Sequence, residues 1–390
     1  MSVALLELPS PDDDARAHSE RVAALLRTEI AAAGGWVPFS RYMDLALYAP
    51  GLGYYAAGAT KLGAAGDFVT APELSPLFGA ALAVQIDAIL AATRGREILE
   101  LGAGSGRLAV DVLVALAARG ASPSRYRILE PSPELRERQR ARIAHESVAQ
   151  ASPIEWLDTL PPTIDGAIIA NEVLDAIPVA LVARRHERWL ERGVAWDAAA
   201  NAFAWEDRAA PLRLADLAAA RFPPGGDYLS ELNPAAEALV ADLGGRLVAG
   251  AALFIDYGFP AREYYHAQRA EGTLMCHYRH RAHADPFFWP GLTDITAHVD
   301  FSAMAAAGER GGLSVAGFAA QAPFLMGCGI LDLLAATGEP QSLAYMKAAA
   351  GVQKLLSPAE MGELFKVLAL AKSADIAWPG FALAERSGRL

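Results

Sequence analysis

The sequence predicts an α/β chain centred on a mostly parallel sheet with helices on both faces and a lobe inserted into it. Three observations carry this. Apolar strand-like runs alternate with helical stretches through REILELGAGSGRLAVDVLVALAARG, YRILEPSPELRERQRARIA, IEWLDTLP and IDGAIIANEVLDAIP, and GGRLVAGAALFIDYG adds a further run. Strands joined by crossover helices pair in parallel and are buried on both faces, so they read as continuous apolar runs. A glycine-rich turn at Gly102, Gly104 and Gly106 follows the first run. From about 179 to 230 the rhythm breaks: VALVARRHERWLERGVAWDAAANAFAWED reads as a small β meander near the carboxyl edge of the sheet.

Taken in order, residues 18–33 carry leucines and an isoleucine on one side of a helix that Gly34 and Gly35 end. The next stretch, to about 79, is rich in glycine and holds Tyr42, Tyr48, Tyr54 and Tyr55, with one short helix at most. Long loops of this kind are often lids or binding loops. Residues 76–93 read as a helix, and the strand–helix alternation follows. A polar, aromatic and histidine-bearing interval at 260–296 reads as a second functional loop. Residues 300–310 resemble a helix, LSVAGFAAQ begins with a late strand, and 326–372 read as mainly helical. The expected organisation is an N-terminal helix and covering loop over 1–75, a core over 76–178 and 246–325, an inserted substrate or partner lobe over 179–245, and a C-terminal helical region over 326–390.

Composition narrows the class. Of 390 residues 53% are hydrophobic and 20% charged, which supplies a core and argues against disorder. The net charge of −11 gives the chain no global electrostatic reason to seek nucleic acid, and the arginines of 107–145 read as a solvated helix face. Cys276 and Cys328 make no disulfide framework. The first residues lack the basic and apolar regions of a secretory signal and the arginine-rich look of an organelle presequence. No uncharged apolar run approaches the roughly 20 residues of a membrane span. A cytoplasmic protein is expected.

The sharpest chemical signal is ILELGAGSGRL. Glycine lets the backbone turn tightly and approach a ligand without a Cβ in the way, and the free amides of the next helix favour a polar or anionic group. By itself this pattern fits a methyl-donor site, a nicotinamide or flavin site, or a plain tight turn. Glu100 ends the strand, where a carboxylate is unfavourable beside dinucleotide phosphates but accepts from the amino group of a methionine moiety. Glu130 ends the second strand, where a carboxylate accepts the hydroxyls of an adenosine ribose; NAD sites share this device, and a turn or capping acid is the lesser alternative. Asn171, Glu172 and Asp175 follow the fourth strand at the edge that faces the ligand crevice. Asn171 is placed to hold cofactor or substrate. Glu172 and Asp175 together suit a guanidinium, whose planar fork carboxylates match; the alternative is a cap by Asp175 and a structural ion pair by Glu172. Gly66, Asp67 and Phe68 lie in a loop that closes a site if it folds over the crevice. Asp256 and Tyr257 end the fifth strand near the same edge. Cys276, His277, His280 and His283 lack a strong zinc spacing, and no metal is expected. His298 and Asp300 suit either a paired site or an ordinary helix entry capped by Asp300. No nucleophile elbow, P-loop, HExxH or paired CxxC is present.

Longer strings are more specific: RYMDLALYAPGLGYY, GDFVTAPELSPLFG, ILELGAGSGRL, NEVLDAIPV, LSELNPAA, LFIDYGFPAREYY, GTLMCHYRHRAHADPFFWPGLTDITAHVDF and QKLLSPAEMGELFKVLAL. On these the chain resembles, over about residues 17–375, the MidA-like family of S-adenosylmethionine-dependent methyltransferases, the group that includes the mitochondrial complex I assembly factor 7. The resemblance implies the class I S-adenosylmethionine-dependent methyltransferase (Rossmann-like) fold with added helices and an inserted lobe. It implies S-adenosyl-L-methionine as cofactor and S-adenosyl-L-homocysteine as its product. It places Gly102, Gly104 and Glu100 in the cofactor turn, Glu130 at the ribose, Gly66, Asp67 and Phe68 in the covering segment, and Asn171 and Glu172 in the site after the fourth strand. It implies methylation of an arginine on a partner protein, with a respiratory complex I subunit homologue as one candidate. The inserted lobe and the late aromatic loop suit either a protein partner or a second copy of the chain in a homodimer. The mitochondrial address does not carry over. Methylation of a small molecule or another protein residue, and a non-catalytic assembly protein that keeps the cofactor site, stand as alternatives.

Overall fold

The computed structural model describes residues 8–57, 70–146 and 152–390. They form two compact units, and each is described by itself.

The larger unit holds residues 70–175, Ala236–Tyr264 and His298–Leu390. Its sheet has seven main strands, numbered here in chain order: β1 Glu97–Leu101, β2 Arg125–Leu129, β3 Ile154–Leu157, β4 Ile164–Asn171, β5 Leu247–Phe259, β6 Ser314–Ala320 and β7 Phe365–Lys372. Across the sheet they run β3–β2–β1–β4–β5–β7–β6. The first five of that series pair in parallel, and β7 runs antiparallel to both of its neighbours. This is the mixed α/β sheet of the expected Rossmann-like class, with extra helices. The apolar runs that signalled strands are the buried ones: every residue of β1 is buried, as is all of β7 except Lys372. Leu82, Ile86 and Leu90 of the helix Pro76–Ala91 and Leu108, Val112 and Leu116 of Arg107–Ala118 join the same core.

Register sets the function of this sheet. Leu101 pairs with Leu129 on one side and Ala170 on the other, and Asn171 pairs with Ile255. The carboxyl ends of β1, β2 and β4 are therefore level with Ile255 of β5, which runs on to Phe259; Gly102, Glu130 and Glu172 leave the sheet at this edge, beside Asp256 of β5.

β7 corrects the expectation of a mainly helical 326–372. Helices occupy Gln321–Gly327, Ile330–Ala335 and Leu343–Leu356, but FKVLALAK is a strand inserted between β5 and β6. A short apolar run has no periodicity that separates strand from buried helix, and its partners lie far away in sequence.

The smaller unit gathers residues 8–57, Ala176–Ala235 and Tyr265–Ala297. The meander is present as Ala180–Arg185, Arg188–Asp197 and Ala202–Ala209, extended by Tyr228–Leu232 and by Trp36–Pro38 into an antiparallel sheet. A second, three-stranded sheet joins Met275–Tyr278, Arg281–His283 and Asp294–Thr296. The first helix runs Asp13–Ala32; it starts earlier than the apolar pattern because Asp12 accepts the Ala15 amide at 2.9 Å. Val22, Leu26 and Ile30 bury its inner face with Phe39, Tyr42 and Met43. These divisions differ from those read in the sequence. The N-terminal residues to 57 and the 265–297 interval join the lobe, and Ala236–Arg246 joins the core, because strand pairing such as Val37 with Val194 is invisible locally. Among the described residues no helix is long and apolar enough to cross a membrane.

Candidate functional site: the carboxyl edge of the core sheet

Gly102, Gly104 and Gly106 all have left-handed backbone, with φ of 60°, 53° and 81°. Only glycine adopts this region without a steric cost. The Gly102 amide donates to the Leu129 carbonyl at 3.0 Å, which ties the turn to the end of β2. Gly106 starts the helix Arg107–Ala118 with no side-chain cap, leaving first-turn amides without an intrahelical acceptor. The Ser105 hydroxyl donates to Glu73 of the short helix Ala71–Leu74, and Arg142 lies 3.8 Å from the same carboxylate oxygen.

Two buried acids flank the turn. Glu100 accepts the Tyr126 hydroxyl at 2.7 Å. Burial, with a smaller contribution from the charge of Glu130, pushes its carboxyl up to about 7 against the opposing effect of that hydrogen bond. Glu130 accepts the Ser132 amide at 3.0 Å and the Gln139 side-chain amide at 3.1 Å. Burial raises its carboxyl, and these two bonds and Arg136 pull it back. Sequence reasoning missed Tyr126 and Gln139. Tyr126 sits between two arginines in RYRIL and Gln139 among charged helix residues, so neither stands out until the strands are paired.

The second half of the edge follows β4. Glu172 has φ of 53°, a conformation that an L side chain rarely adopts, and its amide donates to Ile255 O at 2.9 Å. Such strain costs on the order of 1 kcal/mol and is held only where the surroundings enforce it. Its carboxylate accepts from Asn171 Nδ2 at 3.1 Å and from the Ala71 amide at 3.3 Å. The short helix Ala71–Leu74 therefore touches both Glu172 and the glycine turn. Asp256, almost fully buried, accepts the amides of Leu174, Asp175 and Tyr257 at 3.0, 3.3 and 2.9 Å. Burial first, then the charges of Asp175 and Glu172, push its carboxyl well above the usual range.

Tyr257 donates its hydroxyl to Asp175, which is also buried. Glu172 and Asp175 thus have different surroundings: Glu172 is half-buried, while Asp175 is enclosed and engaged by tyrosine. His298 stacks on Phe259 and meets Tyr257 edge-on. Asp300 is a helix cap that accepts the Ala303 amide at 3.1 Å, the plainer of its two readings. Cys276, His277, His280 and His283 belong to the smaller unit, and Gly66, Asp67 and Phe68 lie outside the described residues.

Comparisons with known proteins show the family. Residues 78–319 match the family described as "Putative S-adenosyl-L-methionine-dependent methyltransferase". A crystal structure of a "likely methyl transferase" from Burkholderia thailandensis bound to S-adenosyl-homocysteine is 50% identical, with a TM-score of 0.94 over 98% of this chain and all of that one. A native structure of an uncharacterized protein from the same organism is 49% identical, with a TM-score of 0.92 over 98% and 100% of the two chains. The mouse "Protein arginine methyltransferase NDUFAF7, mitochondrial" is 28% identical over 86% of this chain and 81% of its own. Its human counterpart is 28% identical over 86% and 80%. The chain's own residues fit the methyl donor. The turn has three left-handed glycines, two acids lie beside it, and Asn171 Oδ1 is buried with no hydrogen-bond partner among the described residues. The chain belongs to this family of S-adenosyl-L-methionine-dependent methyltransferases.

Proposed function

We propose that the methyl acceptor is an arginine on a partner protein, and that a homologue of a respiratory complex I subunit is the first partner to test. The observation that carries this is Glu172, a half-buried carboxylate on left-handed backbone where β4 ends beside Ile255 of β5. A carboxylate fixed by main-chain strain is suited to aligning a planar guanidinium. The names of the mouse and human relatives as protein arginine methyltransferases support the same acceptor.

In this reading Gly102 and Gly104 let the main chain lie against the donor, Glu130 accepts its ribose hydroxyls and Glu100 faces its amino group. Asn171 directs its unsatisfied carbonyl to donor or acceptor. Bound S-adenosylmethionine supplies an electrophilic methyl on a sulfonium. Glu172 aligns a guanidinium nitrogen. As the N–C bond forms the S–C bond breaks, S-adenosylhomocysteine leaves, and the nitrogen's proton passes to the Glu172 carboxylate and on to water. No strong base is required, because that nitrogen becomes more acidic as its new bond forms. Asp175, held by Tyr257, is a positioning residue behind Glu172. Transfer of labelled methyl to proteins of a cell lysate, followed by acid hydrolysis and amino-acid analysis, tests the proposal. Label recovered as methylarginine is the expected result; label only in small molecules or in other residues rejects it.

A further inference from the structure

Gln139 is fully buried on Pro133–His145, a helix whose only other buried residue is Ile143. Every hydrogen-bonding group of its side-chain amide has a partner. Nε2 donates to the Gly104 carbonyl at 3.0 Å and to Glu130 Oε2 at 3.1 Å, while Oε1 accepts from the Trp156 indole at 2.9 Å. The partners dictate which way the amide faces. An indole N–H only donates, and a carbonyl or ionised carboxylate only accepts, so the flipped amide would break all three bonds. Gln139 also crowds the turn: a Cβ on Gly106 would lie 3.3 Å from its Cα and Cγ.

From this arrangement we propose that Gln139 is a positioning residue for the ribose of the methyl donor, fixing the Glu130 carboxylate and the Gly104 carbonyl relative to each other. The proposal rests on the reading of Glu130 as the ribose acid. Ser132 holds one oxygen of Glu130 and Gln139 the other. Each carboxylate oxygen has about two acceptor sites, so one bond apiece anchors the group and leaves acceptor capacity for hydroxyls. A buried, fully satisfied polar network of this kind admits one arrangement. Leucine or methionine would fill the same space without desolvating an amide, so packing alone gives no reason for glutamine at this position.

Calorimetric titration of the full chain with S-adenosylhomocysteine, and with its analogue lacking both ribose hydroxyls, tests the assignment. Hydrogen bonds to a charged group are worth on the order of tenfold or more in binding, so wild type should prefer the natural ligand by at least that factor. In Gln139→Met the preference should collapse toward one. The acid limb of the binding profile should also move to higher pH, because the Gln139 bond holds the Glu130 carboxyl down against burial. A structural role alone would weaken both ligands equally and leave the limb in place, and that result overturns the proposal. Gln139→Leu, which fills the same space and has no donor, gives the same readout if the methionine variant does not fold; an unchanged preference in it is equally fatal. Wild type that binds S-adenosylhomocysteine but ignores the ribose hydroxyls refutes the reading of Glu130 itself.

Discussion

The hydroxyl of Tyr257 lies 2.6 Å from Asp175 Oδ2, and this bond joins the end of β5 to the segment that follows β4. It places a neutral donor on a buried carboxylate that has Asp256 against its own main-chain amide. Removing the hydroxyl leaves the acid without it, at a cost of about 1–3 kcal/mol. We expect Tyr257→Phe to lose that much stability in denaturant unfolding. Its methyl-transfer kcat should fall by more than the KM for S-adenosylmethionine rises, because the donor half of the edge is untouched. A variant with unchanged kcat would separate Asp175 from the reaction.

Glu172→Gln keeps the left-handed backbone problem and the bond from Asn171 while removing the charge. If Glu172 aligns a guanidinium, methyl transfer should drop by roughly a hundredfold, the scale of losing one positioned electrostatic group. S-adenosylhomocysteine affinity should stay near wild type. Single-turnover transfer together with calorimetry reads both quantities, and full turnover would remove Glu172 from the catalytic account.

Glu100 gives a pH signature. Its folded carboxyl titrates at about 7, above its ordinary value of 4.5, so the folded chain holds this proton more tightly than the unfolded one. Its contribution is therefore fully present below about pH 4.5 and is lost as pH rises through 7, a loss of about 3 kcal/mol if no other group compensates. Glu100→Gln keeps an acceptor for Tyr126 and cannot ionise. Unfolding curves between pH 5 and 8 should show the variant gaining on wild type with rising pH. Parallel curves would mean that Glu100 does not ionise in this window.

Gly106→Ala places a Cβ on backbone at φ 81° and 3.3 Å from Gln139. Strain and crowding together should destabilise the chain by about 1–3 kcal/mol and weaken S-adenosylhomocysteine binding. Thermal unfolding with and without the ligand measures the two effects, and an alanine variant that binds normally would show that the turn tolerates side chains.

Much of this edge is legible in the amino-acid sequence. β4 and β5 read as strands because each is a long apolar run, and β1 and β2 because short runs, EILEL and RYRIL, lead into turn material before a helix; parallel pairing then puts Gly102, Glu130, Asn171 and Asp256 together. What stays hidden depends on partners distant in sequence. FKVLALAK reads as helix until β5 and β6 flank it. The histidine-bearing 260–296 interval reads as a loop, and only distant pairing shows that from Tyr265 onward it belongs to the smaller unit and carries a three-stranded sheet. Gln139 gives no signal, because a lone glutamine among arginines and glutamates acquires meaning only from the three groups that surround it. Asp175 and Tyr257 both stand out as polar residues at strand ends, yet the bond between them, which encloses Asp175 and leaves Glu172 the more accessible acid, requires the register.

The short helix Ala71–Leu74 grips Glu172 through its first amide and Ser105 through Glu73. One turn of helix thus has an end on each ligand's ground, and any displacement by one occupant is felt by the other as work. Such coupling is reciprocal by thermodynamic necessity. The factor by which the methyl donor alters affinity for an acceptor peptide must equal the factor by which that peptide alters affinity for the donor. Titrations in both orders should return one number different from unity, and Glu73→Gln should bring it closer to one. A factor of one in the unaltered chain would show that this turn of helix binds the two halves together without carrying anything between them.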